Sequence, residues 1–147
     1  RPPQDPINAL LSFAYSLLAH DCASALESVG LDAYVGYLHR DRPGRESLAL
    51  DLMEELRAPL CDRLMLALIH RGQISEKSFD QLTAPVLLSE AGRKAVVAAW
   101  QKRKQETITH PFLGEKIPVG LIPHAQAQLL ARVLRGEMDE YPPFVWR

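Results

Sequence analysis

A single histidine, His39, stands just before a Pro-Gly pair, and two acids follow it: Asp51 twelve residues on and Glu54 fifteen residues on. An imidazole brought against clustered carboxylates can hold a divalent cation such as Mg²⁺ or Mn²⁺. Four arginines crowd the same stretch: Arg40, Arg42, Arg45 and Arg57.

The elements that must position these groups can be read from the pattern around them. Pro43-Gly44 cannot lie inside a helix, so the chain turns there. Ser47 is a suitable N-cap, and a helix is predicted to start beside it. Leu48, Leu52 and Leu56 recur every fourth residue, as do Ala49 and Met53, making a broad apolar face. Asp51 and Glu54, three apart, are neighbours on that helix's surface. His39 lies off this helix, but a reversal at Pro43-Gly44 could return its imidazole to the acids. A solvated helix face beside a structural histidine shows the same pattern, and one histidine with two acids is a weak motif.

Upstream, Asp5-Pro6 reads as a capped helix start. Ile7, Leu10, Leu11, Ala14, Leu17 and Leu18 form its expected buried stripe, while Asn8, Ser12 and Tyr15 fall on a face read as polar surface. His20-Asp21 interrupts the pattern, and a second segment or a continuation through Ala25, Leu26 and Val29 stops at Gly30. Downstream, Pro59 should kink or divide the Ser47 helix, whose apolar pattern resumes through Leu60, Leu64, Leu66, Ala67 and Leu68 to Arg71-Gly72. Ser75 is expected to cap a short helix over Glu76–Leu82, and Pro85–Leu88 is the one convincing strand. Ser89 should cap a helix over about Glu90–Thr107 that buries Ala95, Val96, Ala99 and Trp100. Thr109–Pro123 reads as a loop with a small hairpin around Lys116–Val119. Pro123 opens a last helix, apolar at Ala127, Leu130, Ala131 and Leu134, that ends at Gly136. The aromatic, proline-rich tail Tyr141–Arg147 is expected to pin back onto the core.

The Ser89 helix carries Arg93, Lys94, Lys102, Arg103 and Lys104 with no acid among residues 91–105, making the best basic patch in the chain. It suits phosphate contact or, equally, a solvated helix end, where cations are favoured anyway. Over all 147 residues the net charge is only −1, which counts against a general nucleic-acid footprint while leaving room for a local one. Length and a 47% apolar content fit one globular domain with a sizeable core, and the fold class expected is all-α, with at most a short β-hairpin or strand pair. Cys22 and Cys61 lack metal or disulfide spacing and read as free thiols of a cytoplasmic protein. No apolar run appears long enough to cross a membrane, and His70, His110 and His124 have no spacing that suggests a site.

Resemblance carries the reading further. The runs DPINALLSFAYSLL (Asp5–Leu18) and GLDAYVGYLHRDRPGRESLALDLMEELR (Gly30–Arg57), then Asp62-Arg63, VLLSEAGRKAVVAAWQKR and the closing YPPFVWR, resemble the C-terminal helical domain of the CRISPR-associated spacer integrase. The likeness covers essentially the whole chain. An Asp-Pro-x-Asn-Ala helix start, a Gly-aromatic-Leu-His turn and an Asp-Leu-x-Glu-Glu helix occur in the family's order. Ala33 stands where proline is common, and Tyr37 and Leu56 where phenylalanine is.

The resemblance implies a metal-dependent DNA endonuclease and integrase that inserts new spacers into a CRISPR array by transesterification. Its metal ligands map onto His39 and Glu54, with Asp51 a supporting or alternative ligand. The family's first ligand, a glutamate upstream of the Asp-Pro-x-Asn-Ala helix, has no counterpart here, and neither has its N-terminal β-domain. The chain is therefore expected to be the C-terminal part of a longer two-domain protein. A neutral imidazole would ligate Mg²⁺ or Mn²⁺, so activity should fall as His39 protonates. Arg40, Arg42, Arg45, Arg57, Lys94, Lys102, Arg103 and Lys104 would bind DNA phosphates, with the salt dependence that entails. Expected partners are branched or double-stranded DNA (CRISPR repeat and prespacer), a second copy of the protein, and a small ferredoxin-like CRISPR-associated subunit, with no membrane. A non-catalytic helical DNA-binding or scaffold module, or an unrelated hydrolase of small phosphorylated substrates, are the competing readings.

Overall fold

A computed structural model describes residues 5–34, 47–80 and 85–146. Five α-helices lie among the described residues: α1 (Pro6–Ser28), α2 (Ser47–Glu54), α3 (Arg63–His70), α4 (Glu90–Gln105) and α5 (Ile122–Leu134). Strands β1 (Phe79–Asp80) and β2 (Leu87–Leu88) form one antiparallel pair, and β3 (Thr107–Thr109) and β4 (Lys116–Pro118) a second. The all-α expectation holds.

α1 is the spine. The Asp5 carboxylate accepts from the backbone N–H of Asn8 at 2.9 Å, and proline occupies the first turn. The helix runs unbroken through His20-Asp21, so the expected interruption does not occur. It ends in a Schellman pair, Gly30 N–H to Glu27 O and Leu31 N–H to Leu26 O, which needs the positive φ (83°) that Gly30 supplies. Leu10, Ala14, Leu18, Cys22 and Leu26, each four residues on, form its buried ridge. α2 and α5 pack against α1. The expected stripe was too wide: Ile7 is 57% exposed, and Leu11 and Leu17 are half-buried. α1 is also long and apolar enough to cross a membrane by length and composition, which corrects the sequence reading; here it is the core helix of a helical fold.

α2 buries Leu48, Ala49, Leu52 and Met53, the face read from their spacing, and Leu56 beyond it is buried too. Pro59 has no N–H to donate to the carbonyl four residues back, and its ring crowds that carbonyl. The chain widens there into a π-helical segment, Arg57–Asp62, closed by Arg63 N–H to Ala58 O, and then resumes as α3. The expected kink is thus a π-turn between two helices in series. On α3, Leu66 is 56% exposed although its apolar type suggested the core.

The helix expected over Glu76–Leu82 is only a 3₁₀ turn over Glu76–Ser78; Leu82 lies outside the described residues. Ser75 and Ser78 close that turn on each other, and the Ser78 carbonyl accepts from Ser89 N–H at 2.8 Å instead of continuing a helix. α4 stops at Gln105, two residues short of expectation, because Thr107-Ile108-Thr109 pairs with Lys116–Pro118. Val96 and Trp100 are buried, while Ala95 and Ala99 are half-buried. The tail pins back as expected, with Phe144 buried. Leu134, by contrast, is 48% exposed.

Cys22 and Cys61 are free and fully buried. Burial pushes the Cys61 thiol from its ordinary 9.0 up to about 12, and the Cys22 thiol higher still. Both stay protonated in the fold but ionise once unfolded, so the unfolded chain sheds protons first as pH rises. Stability should hold through neutral pH and fall as pH climbs above 9.0. Thermal melts across this range should show the decline, and Cys22→Ala/Cys61→Ala should flatten it. A melting temperature indifferent to alkaline pH would contradict the buried-thiol account.

Candidate active site

Asp51 and Glu54 line one cleft of about 270 Å³, whose other walls are Leu48, Leu52 and Glu55 of the same stretch, Leu130 of α5 and Tyr141 of the tail. The expected neighbouring of the two acids is therefore realised. The start of α2 is tied to the end of the α1 connection: Leu48 and Ala49 N–H groups donate to the Ala33 carbonyl at 2.8 and 3.2 Å. His39, Arg40, Arg42 and Arg45 lie outside the described residues, and so does the Pro43-Gly44 turn.

Glu54 and Glu55 are adjacent in sequence and opposite in role. Glu54 is exposed and pairs with Arg57, whose Nη1 lies 3.2 Å from its Oε1. Glu55 turns inward to a polar knot. It accepts from the Tyr141 hydroxyl, from Phe144 N–H at 3.0 Å and from Gln126 Nε2 at 3.3 Å. Gln126, wholly buried, also donates to the Tyr141 oxygen at 2.7 Å and to the Pro142 carbonyl at 3.2 Å. His110 completes the knot. Its Nδ1 accepts from Phe112 and Leu113 N–H, each at 3.1 Å, so Nε2 carries the proton and donates to Gln126 Oε1 at 2.7 Å.

A second cluster flanks the cleft. The Tyr15 hydroxyl donates to Asp62 Oδ1 at 2.6 Å, and the Arg57 guanidinium lies over the Tyr15 ring, 4.8 Å from its centroid. Burial and the Asp62 carboxylate push Tyr15 from 10.0 up to about 12, so its hydroxyl keeps its proton at any working pH. The sequence reading treated Tyr15 as polar surface and passed over Glu55, Tyr141, Gln126 and His110. Only the Asp-x-x-Glu-Glu doublet hinted that one acid of the pair faces inward.

The α4 cations are placed less openly than their run suggested. Lys104 reaches Asp21 of α1 at 3.2 Å, beside Trp100 Nε1, which donates to the same carboxylate at 3.0 Å. Arg103 pairs with Glu106 and lies over the Trp146 ring, 5.1 Å from its centroid, as does Arg63 at 5.4 Å. Lys94 pairs with Glu90 at 3.1 Å, both well exposed, and Lys102 is exposed. Glu90 and Glu106, just outside the acid-free window, and Asp21 of α1 thus pair with three of its five cations.

Asp51 and Glu54 are hard oxygen donors of the kind Mg²⁺ or Mn²⁺ takes. Among the described residues no three His, Cys, Asp or Glu side chains converge as a metal site.

Residues 1–102 match the family of the CRISPR associated protein Cas1. The whole chain is 62% identical to the CRISPR-associated endonuclease Cas1 2 of Rhodospirillum rubrum, spanning 43% of that relative's length. Among solved structures it is similar to a casposase bound to integration product (TM-score 0.84, 29% identity, 95% of this chain and 40% of that one). It is also similar to a partial Cas6-RT-Cas1–Cas2 complex (TM-score 0.78, 28% identity, 99% of this chain and 43% of that one). The chain belongs to the Cas1 family.

The two glutamates should separate on mutation. Glu55→Ala strands a tyrosine hydroxyl and a backbone N–H, and should cost about 2–4 kcal/mol. That is a melting temperature lower by roughly 6–12 °C for a domain of this size. Glu54→Ala removes an exposed carboxylate and its ion pair with Arg57, and should stay within about 0.5 kcal/mol of wild type. Equal losses in thermal melts of the two variants would contradict the assignment of inward and outward acids.

Proposed function

We propose that this chain is the C-terminal helical domain of a cytoplasmic, metal-dependent DNA integrase and endonuclease that inserts spacers into a CRISPR array. The observation that carries the reading is the placing of Asp51 and Glu54 on one cleft by α2, in a chain of the Cas1 family. Its relatives are named endonucleases, and the casposase it resembles is bound to an integration product.

His39, Glu54 and Asp51 would hold Mg²⁺ or Mn²⁺, together with a ligand from elsewhere in the longer protein. When bound, the ion polarises the phosphodiester and steadies charge on the entering or leaving oxygen. The chain's own residues do the rest. Arg57, beside Glu54, meets the phosphate at the cleft, and Arg40, Arg42 and Arg45 lie in the same stretch of sequence. Lys94, Lys102, Arg103 and Lys104 extend phosphate contact along α4, the ion-paired members exchanging a carboxylate for a phosphate. The reaction is a transesterification in which a 3′-hydroxyl of the incoming DNA attacks a phosphodiester of the repeat, forming one P–O bond as another breaks and the repeat strand's own 3′-oxygen leaves as a hydroxyl. DNA, a second copy and the small ferredoxin-like CRISPR-associated subunit are the partners, the last supported by the likeness to a Cas1–Cas2 assembly.

One observation favours the scaffold reading: Glu54 is engaged by Arg57, as in an ordinary helix surface. Strand transfer on a branched DNA, with and without Mn²⁺, separates the two in the full-length protein. His39→Ala and Glu54→Ala should each lower metal-dependent transfer by at least about a hundredfold while DNA binding persists. Undiminished transfer in Glu54→Ala would remove the metal assignment, and DNA binding with no transfer in wild type would favour a scaffold.

A further inference from the structure

The cluster of Tyr15, Arg57 and Asp62 is not part of the ligand set, yet it reaches Glu54 through Arg57. Arg57 and Asp62 are the first and last residues of the π-helical segment, and i→i+5 bonding brings residues five apart onto one side. Tyr15 comes to them from α1: its ring carries the guanidinium, and its hydroxyl satisfies Asp62 Oδ1. Arg57 Nε is buried without a hydrogen-bond partner among the described residues. An unmet buried guanidinium donor is costly, and a carboxylate on the same turn competes for it. Here Tyr15 holds Asp62 by Oδ1, and Nη1 of Arg57 goes to Glu54.

We propose that Tyr15 is a positioning residue, which by engaging Asp62 and bearing the ring under Arg57 keeps the guanidinium at the cleft beside Glu54, where it meets a DNA phosphate. The proposal rests on the integrase reading for the identity of the phosphate. Loss of the hydroxyl alone leaves Asp62 Oδ1 without the donor that orients it, and the carboxylate turns to the unmet Arg57 Nε, drawing the guanidinium from the cleft. The ring, the fold and Asp51 are untouched by that change. The Tyr15 hydroxyl stays protonated throughout the working range, so the brace does not come and go with pH.

The decisive set is Tyr15→Phe, Arg57→Gln and the double variant Tyr15→Phe/Asp62→Asn in the full-length protein. It is read by duplex-DNA binding across a salt series and by strand transfer with Mn²⁺. Tyr15→Phe should lower the salt slope of binding by about 0.9, one phosphate contact, as Arg57→Gln does. It should also slow transfer about tenfold, the lower end of what a supporting residue costs. Removing the charge of Asp62 in the double variant should restore both readings, with melting temperatures confirming that every variant is folded. A wild-type slope in Tyr15→Phe would overturn the proposal, as would a double variant no better than Tyr15→Phe alone. Should wild type show no metal-dependent transfer, the integrase reading falls, and the salt slopes still judge the brace.

Discussion

The carboxylate of Glu55 is the constraint on which this fold turns. It sits between α2, α5 and the tail, and its donors come from Tyr141, Phe144 and Gln126. Burying a carboxylate is costly unless it is hydrogen-bonded, and here both oxygens are engaged. Because Glu55 must point inward, α2 has one permitted rotation. Leu48, Leu52 and Met53 then face the core, and Asp51 and Glu54 are left on the cleft. His110 and Gln126 hold the far side of the same knot, so a loop after β3, a helix and the tail are tied to the helix that bears the acids.

The π-helical turn plays the matching part just beyond Glu55. Pro59 forbids a regular helix, and the widened turn sets Leu60 and Cys61 into the core beside α1. Cys61 Sγ approaches the Ala14 carbonyl at 3.6 Å, fixing the depth of that contact. The same turn places Arg57 and Asp62 around Tyr15. A proline that breaks local regularity is thus what brings three distant residue types together at the edge of the cleft.

Much of this was legible in the chain. Capping residues, helix-ending glycines and the four-residue spacing of Leu48, Leu52 and Leu56 located the helices, because those signals act within a few residues. Asp51 and Glu54 were legible as surface neighbours for the same reason. Contacts across long separations were not: Tyr15 meets Asp62, and Glu55 meets Tyr141, through packing that no local spacing encodes. Ser75 misled because a 3₁₀ turn and a helix share their cap. The α4 cations misled because Asp21, which binds Lys104, comes from α1. Resemblance supplied what periodicity could not, the proposal that His39 and Glu54 are metal ligands.

Ferrous iron takes the place of Mg²⁺ or Mn²⁺ in oxygen-rich sites and, with ascorbate, cuts the nearby backbone by local oxidation. Applied to the full-length protein, it tests directly whether the acids of α2 form a metal centre. Cleavage should cluster at the His39 segment and at Asp51–Glu54, should be suppressed by excess Mn²⁺, and should vanish in Glu54→Ala. Cleavage elsewhere, or unchanged in that variant, would contradict the claim that this helix face is built to hold a metal.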